Sequence, residues 1–325
     1  MNPFKYQRAT KTEDAISAAV APNSAFIGGG TTLVELMKEG VQSPALIVDV
    51  NALPLAEIQP VDGGVRVGAL VRNTEMANHV LIRERYPMLS EALLSGASEQ
   101  LRNAATLGGN LLQRTRCYYF RDPASPCNKR EPGSGCAALD GYNRIHAVLG
   151  CSGSCIATHP SDMCVPLMAL DARIRVQGAK GERTIAIADF YLVPGDTPQR
   201  ENTLGPGELI LGVDIPDVPY ARTSKYIKVR DRASYEFALA SAAVALDVQN
   251  GQVRAARVAL GGVATKPWRA QEAEKILTGA KADAATFQKA AEAEMRGAKA
   301  QRYNAFKIDL AQRTLVRALS EAGRS

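Results

Sequence analysis

The chain has 325 residues, 46% of them hydrophobic and 22% charged, with a formal charge of +6. That length accommodates two domains or three small ones, and the composition fits an ordinary soluble globular protein. No apolar run reaches bilayer-spanning length, the first residues show no charged region followed by an apolar one, and basic residues are scattered rather than striped with aromatics. These features argue against membrane insertion, an export signal and nucleic-acid binding, and leave a partner surface as the use for the mild positive excess.

Phe4 to Tyr6 reads as a short first strand. Thr10-Lys11-Thr12-Glu13 has capping-box spacing, and Ala15, Ile16, Ala19 and Val20 then share one helical face. Ala25-Phe26-Ile27 is a brief strand that runs into Gly28-Gly29-Gly30-Thr31-Thr32 and then a helix carrying Leu33, Leu36 and Met37. Three glycines let a backbone turn tightly and approach a ligand closely, and exposed amides at a helix start suit a pyrophosphate. The dinucleotide fingerprint is absent, because its third glycine would fall at Leu33. Taken alone, the segment is equally consistent with a plain turn.

Ala45 to Val50 reads as a buried strand, and Val65-Arg66-Val67 as an alternating one after the turn Asp62-Gly63-Gly64. Thr74 is placed to cap the next helix. Gly96 to Asn110 is rich in small residues, which permits either a large ligand against the backbone or tight packing of helix on strand; Thr106 and Asn110 offer hydrogen-bonding groups.

All six cysteines follow, at 117, 127, 136, 151, 155 and 164, in the pattern C-x9-C-x8-C-x14-C-x3-C-x8-C. A reducing compartment for such a chain argues against disulfides and toward metal or free thiols. The loop carries Pro123, Pro126, Pro132, Gly133 and Gly135, so it forms no continuous helix or central strand. Its length suggests disorder or an organising ligand. Zinc sites want two close cysteine pairs, and only Cys151 and Cys155 come near that; dispersed thiolates suit an iron–sulfur cluster better. Cys164 lies in an apolar helix-like run and reads as a core residue. Ser161 or Asp162 reads as an N-cap of that run, and His159 as structural.

Arg173 to Val176 and Arg183 to Ile185 read as paired strands, and Leu209 to Val213 as another. The proline-bounded segment Ile215 to Tyr220 marks a domain boundary. Beyond it, Ala238–Val248 and Gln252–Leu260 form a hairpin at Asn250-Gly251. Ala270–Leu277 and Ile308–Leu319 are the clearest of the remaining helices, and Trp268 reads as a core anchor.

Together these pieces resemble the flavoprotein subunit of the molybdenum hydroxylases, the xanthine dehydrogenase and aldehyde oxidoreductase family. The resemblance runs nearly end to end. It is strongest in residues 26–33, in Leu101-Arg102-Asn103-Ala104-Ala105-Thr106-Leu107-Gly108-Gly109-Asn110, and in Thr158-His159-Pro160-Ser161-Asp162, with Gly261 to Ala264 and Lys266 to Arg269 resembling the family's C-terminal domain. The insertion, with Asn128-Lys129-Arg130 and Gly133-Ser134-Gly135-Cys136, resembles most the heterotrimeric periplasmic aldehyde oxidoreductases, a type with an additional [4Fe–4S] cluster in this subunit.

The resemblance implies an α+β fold. Residues 1–219 would form a two-subdomain FAD-binding domain of the vanillyl-alcohol-oxidase (PCMH) type, with an iron–sulfur insertion at about 114–156. Residues 220–325 would add a small antiparallel sheet and helices. The FAD contacts it implies are Phe26, Ile27, Gly28, Gly29, Gly30, Thr31, Thr32 and Leu33, with Thr106, Gly109, Asn110, Asp162, Leu209 or Ile210, and Lys228. Its cluster ligands would be Cys117, Cys127, Cys136 and Cys155, with Cys151 the rival fourth. The implied role is electron relay, from a molybdenum-cofactor large subunit and a [2Fe–2S] small subunit through FAD to an external acceptor. The chain would lie in the periplasm if co-exported with a partner and in the cytoplasm otherwise. A stand-alone FAD oxidase and a zinc-stabilised binding module are the alternatives.

Overall fold

The structure, a computed structural model, describes residues 1–324. Strands β1 (Lys5–Arg8), β2 (Ser24–Ile27) and β3 (Leu46–Asp49) form a parallel sheet of order β1-β3-β2. Parallel neighbours need crossovers, and helices Thr12–Ala19 and Leu33–Lys38 supply them. The glycine segment 28–32 therefore sits at the carboxyl end of β2. The Thr10–Glu13 capping box does not form: the helix starts at Thr12 after Lys11, with no side-chain cap, and Glu13 and Asp14 face its positive end instead.

A second, antiparallel sheet runs β4-β5-β8-β6-β7, from β4 (Ile58–Val61), β5 (Gly64–Gly68), β6 (Arg173–Gly178), β7 (Gly181–Ala186) and β8 (Leu209–Pro216). The sequence reading omits β4, whose Pro60 confines it to an edge. Val65, Val67, Ile174, Val176, Val213 and Ile215 point from this sheet into the largest core, against Met88, Leu89 and the apolar helix Cys164–Ala169. Cys164 is fully buried there, as expected of a core residue. Everything between β5 and β6, including the cysteine loop, is one long excursion from this sheet. Thr74 does not cap its helix, which starts at Asn73 after Arg72; the Thr74 hydroxyl is buried without a partner. The start is held by a long-range bond, Asn73 N–H to the Ala105 carbonyl at 2.9 Å.

The third sheet, β12-β11-β10-β9, comprises β9 (Lys225–Val229), β10 (Ala240–Gln249), β11 (Gln252–Gly261) and β12 (Trp268–Arg269), all antiparallel. Asn250 and Gly251 both have positive φ, 52° and 74°, as a type I′ turn requires. Strand β10 is buried on both faces. Ala242, Val244 and Leu246 pack toward helices Gln271–Leu277, Ala284–Met295 and Phe306–Ala322, while Ala243 and Ala245 enter the core of the second sheet. Alanine suits this strand because each face must approach a packed layer. Trp268 packs on the rim of the C-terminal core rather than at its centre, and its Nε1 donates to Glu294 at 2.9 Å.

Candidate cofactor site

The glycine turn and the small-residue stretch form one wall because their backbones touch. A Cβ on Gly29 would stand 2.0 Å from the Ala104 carbonyl oxygen, one on Gly28 would stand 3.0 Å from Thr106 Oγ1, and Gly30 has φ +73°. Thr106 in turn caps the short helix Leu107–Leu111, its hydroxyl accepting from Gly109 N–H. A cleft of about 990 Å³ is lined by residues 25–33 together with Thr106, Gly109, Leu112, Arg114, Glu201 and Asn202. It shares Thr31, Thr32 and Gly109 with a larger cleft of about 1320 Å³, which continues along Gly96, Ala97, Arg102, Asn110, Arg116 and Asp162 to Phe237. A third lobe of about 720 Å³ shares Arg116, Asp162 and Phe237 and reaches Ser241 and Gly262 of the C-terminal part. The structure thus brings residues 26–33, Thr106, Gly109, Asn110 and Asp162 to one continuous groove.

Two expected residues stand elsewhere. Ile210 is in the core of the second sheet and lines none of these lobes. Lys228, 3% exposed, stands behind the wall rather than in it: its Nζ donates to Asp162 Oδ2 at 2.8 Å and to the Ser95 carbonyl at 3.0 Å. Tyr226 OH donates to the other carboxylate oxygen of Asp162 at 2.6 Å. Neither Ser161 nor Asp162 is the N-cap residue, because the helix Cys164–Ala169 starts after Met163; Ser161 Oγ still accepts from Cys164 N–H at 3.3 Å. Lys228→Met would leave the Asp162 carboxylate, 10% exposed, without its cation. It is expected to destabilise the fold by about 3–5 kcal/mol and to release flavin. Thermal melts and flavin-to-protein ratios check this, and the double variant Lys228→Met/Asp162→Asn should recover most of the stability.

All six cysteines are free thiols. Cys117, Cys127, Cys136 and Cys155 line a single tight pocket with Phe120, Asn128 and Lys129. Short helical turns at Tyr118–Arg121 and Ala137–Asp140 and an antiparallel backbone β-bridge that pairs residues Cys127 and Cys136 shape the loop around it. Arg130 holds the loop closed, donating to the carbonyls of Tyr119, Phe120, Pro123 and Ser125. Cys151 is outside the cavity; its thiol donates to the Ala147 carbonyl at 3.2 Å. Burial pushes the Cys117 thiol up to about 12, and the neighbouring Cys127 and Cys155 add to the rise. Burial raises Cys155 too, with Cys136 and Cys127 contributing. Among the described residues, no group of three or more His, Cys, Asp or Glu side chains is arranged to hold a single metal ion.

Sequence reasoning missed the residues that join this cavity to the groove. Glu201 accepts from Arg114 of the groove at 2.6 Å and from Lys129 of the cysteine loop at 3.0 Å. Burial alone would raise its carboxyl, but the two cations outweigh burial and hold it below the usual range. Leu36 lines the glycine lobe and belongs to the apolar cluster that contains Cys117, Cys127 and Cys155. His159, expected to be structural, is half-buried with its Nδ1 accepting from Ser161 N–H at 3.4 Å; desolvation lowers it to about 4, so the ring is neutral.

Residues 2–218 match the family described as FAD binding domain in molybdopterin dehydrogenase, and residues 225–322 the family described as CO dehydrogenase flavoprotein C-terminal domain. The chain is 51% identical over 326 residues to the aldehyde oxidoreductase FAD-binding subunit PaoB of Escherichia coli (strain K12), with 99% of each chain covered. The chain belongs to the FAD-binding medium subunits of the molybdenum hydroxylase family. It is also 29% identical to the glyceraldehyde dehydrogenase medium chain of Sulfolobus acidocaldarius, over 86% of this chain and 82% of that one. Its fold matches the reconstituted CO dehydrogenase from Oligotropha carboxidovorans with a TM-score of 0.78 at 23% identity, covering 99% of this chain and 98% of that one. The first family's description and the name of the Escherichia coli relative specify FAD, and none of these names specifies an iron–sulfur cluster.

The groove of this medium subunit fits FAD in its chemistry. Asn73 Oδ1, Arg102 Nε and Arg116 Nε are buried without partners on residues that line the large lobe, as are His159 Nε2 and Ser241 Oγ on the third. Buried polar atoms are ordinarily satisfied, so this concentration marks where a polar ligand belongs. The cysteine cavity fits an iron–sulfur cluster by its donor set, four thiols and no carboxylate. Buried thiols that stay protonated give up their protons to a group that supplies positive charge.

Proposed function

We propose that this chain is the FAD- and [4Fe–4S]-containing electron-transfer subunit of a molybdenum-dependent aldehyde oxidoreductase. The observation that carries the proposal is the gathering of Cys117, Cys127, Cys136 and Cys155 around one cavity next to the groove. Arg116 lines the groove and is covalently joined to Cys117, so their Cα atoms are about 3.8 Å apart. Leu36 contributes to both walls. Such closeness favours a relay over a loop staple.

When bound, FAD exchanges electrons singly or in pairs and the cluster exchanges them singly, and the protein's part is to hold and tune both. The Gly28–Thr32 amides, free of Cβ crowding, suit the pyrophosphate. Asn110 Oδ1 accepts from Ser161 at 2.7 Å and from Gln113, which turns its amide NH2 toward ligand. Thr106 Oγ1 accepts from Gly109 and keeps its proton to donate. Asp162, fixed by Tyr226 and Lys228, suits a ribose hydroxyl or the adenine end. Residues 1–219 would carry these contacts, and 220–325 would close the groove through Phe237 and Ser241.

A molybdenum-cofactor large subunit and a [2Fe–2S] small subunit would deliver the electrons, and an external acceptor would remove them. No helix among the described residues is long and apolar enough to cross a membrane; a periplasmic location would follow a partner's export signal. The test is anaerobic mixing with an aldehyde. The flavin of the isolated chain should stay oxidised, and that of the chain with its partner subunits should bleach. Aldehyde oxidation by the isolated chain would overturn the proposal in favour of a stand-alone FAD oxidase.

A further inference from the structure

One buried histidine points at a cluster cysteine. His146 is 1% exposed, and its Nε2 lies 3.1 Å from Cys117 Sγ. Its Nδ1 is buried with no hydrogen-bond partner. A neutral imidazole carries one proton. On Nδ1 that proton would be an orphaned buried donor; on Nε2 it meets sulfur. The pairing therefore selects the Nε2–H tautomer, which leaves only a lone pair unmet.

The ring is held in place from both sides. The rings of Tyr118 and Tyr119 stand 6.5 and 6.4 Å from it. Its own carbonyl accepts from Asn304 Nδ2 at 3.2 Å and from Lys307 Nζ at 3.0 Å. Lys307 is fully buried and also bonds the carbonyls of Ile145 and Gly262. The C-terminal helix and the turn before it thus anchor the main chain from which the ring projects.

We infer that His146 is a positioning residue that donates Nε2–H to the Cys117 sulfur and raises the reduction potential of the cluster bound there. The inference rests on the cluster reading above. Each electron the cluster takes from a mediator adds one negative charge and no proton. A donor aimed at a ligand sulfur stabilises the more negative state, so losing it lowers the potential.

The test uses the full chain with its cofactors. Cluster potentials are measured by mediated titration for the wild type, His146→Leu, which has no donor, and His146→Gln, whose amide reaches the Nε2 position. His146→Leu should shift the one-electron equilibrium about tenfold toward the oxidised cluster, about 59 mV lower, with iron content unchanged. His146→Gln should stay near the wild type. If the cluster takes no electron, the Fe–S(Cys) stretching bands of the oxidised state should shift in D2O for wild type and His146→Gln but not for His146→Leu. If His146→Leu fails to assemble a cluster, recovery in His146→Gln supports a donor at that position, and loss in both overturns the inference. Equal potentials, or equal D2O shifts, in wild type and His146→Leu also overturn it while leaving the cluster reading intact. Absence of iron from the wild type itself would overturn the cluster reading instead.

Discussion

Serine at Cys117, Cys127, Cys136 or Cys155 is expected to cut bound iron from about four per chain to near zero, whereas Cys151→Ser and Cys164→Ser leave it unchanged. The four share one cavity, and each removal leaves a corner without a thiolate. Cys151 spends its thiol on the Ala147 carbonyl, and Cys164 is fully buried beside Tyr191, its sulfur 3.0 Å from the phenol oxygen. Losing the cluster should also loosen the loop. Its own fastenings are hydrogen bonds made by Arg130, Asn128 and Ser134 and the ion pairs of Arg121 with Glu39 and of Lys129 with Glu201, and a bound metal group contributes directly to folding free energy. Iron and sulfide analysis with limited proteolysis reads both effects. Retained iron in Cys155→Ser together with lost iron in Cys151→Ser would mean that the loop rearranges around a different ligand set.

The second large effect is expected at Gly29. Its Cβ position lies 2.0 Å from the Ala104 oxygen and 2.7 Å from the Ala104 carbon, both backbone atoms that cannot rotate away. Gly29→Ala must push the glycine turn off the 104–106 segment, and both form the same wall of the groove. Overpacking of this kind costs about 1–3 kcal/mol. The displaced amides should also lower FAD affinity by about tenfold or more, the equivalent of about 1.4 kcal/mol. Gly297→Ala is the control, because a Cβ there meets nothing within 4 Å. Flavin retention on dilution and thermal midpoints measure the two parts separately; unchanged flavin binding in Gly29→Ala would show that the turn does not hold the cofactor.

What the sequence made legible is mostly local. The glycine turn, the Asn250-Gly251 hairpin and the apolar run around Cys164 each declare themselves within a few residues, and each stands in the structure where the pattern puts it. The capping signals at Thr10 and Thr74 failed because a long-range bond or the acidic first turn fixes the helix start. Lys228 illustrates a different limit. A resemblance assigns it to the cofactor, but only the fold shows that Asp162 stands between it and the groove. Cys151 and Cys155 are four residues apart and equivalent by spacing, and the backbone path alone separates them. The contact of His146 with Cys117 spans 29 residues and the Arg114–Glu201 pair 87, so no window of sequence contains either.

The most direct measurement is an optical spectrum of the purified chain, with flavin, iron and acid-labile sulfide counted on the same sample. The account predicts flavin bands with one FAD and about four irons per chain, the stoichiometry of a four-cysteine cluster. Flavin without iron or sulfide, after anaerobic reconstitution, would contradict the cluster and leave the four thiols as a free or zinc-bound cage; a colourless protein would contradict the electron-transfer role itself.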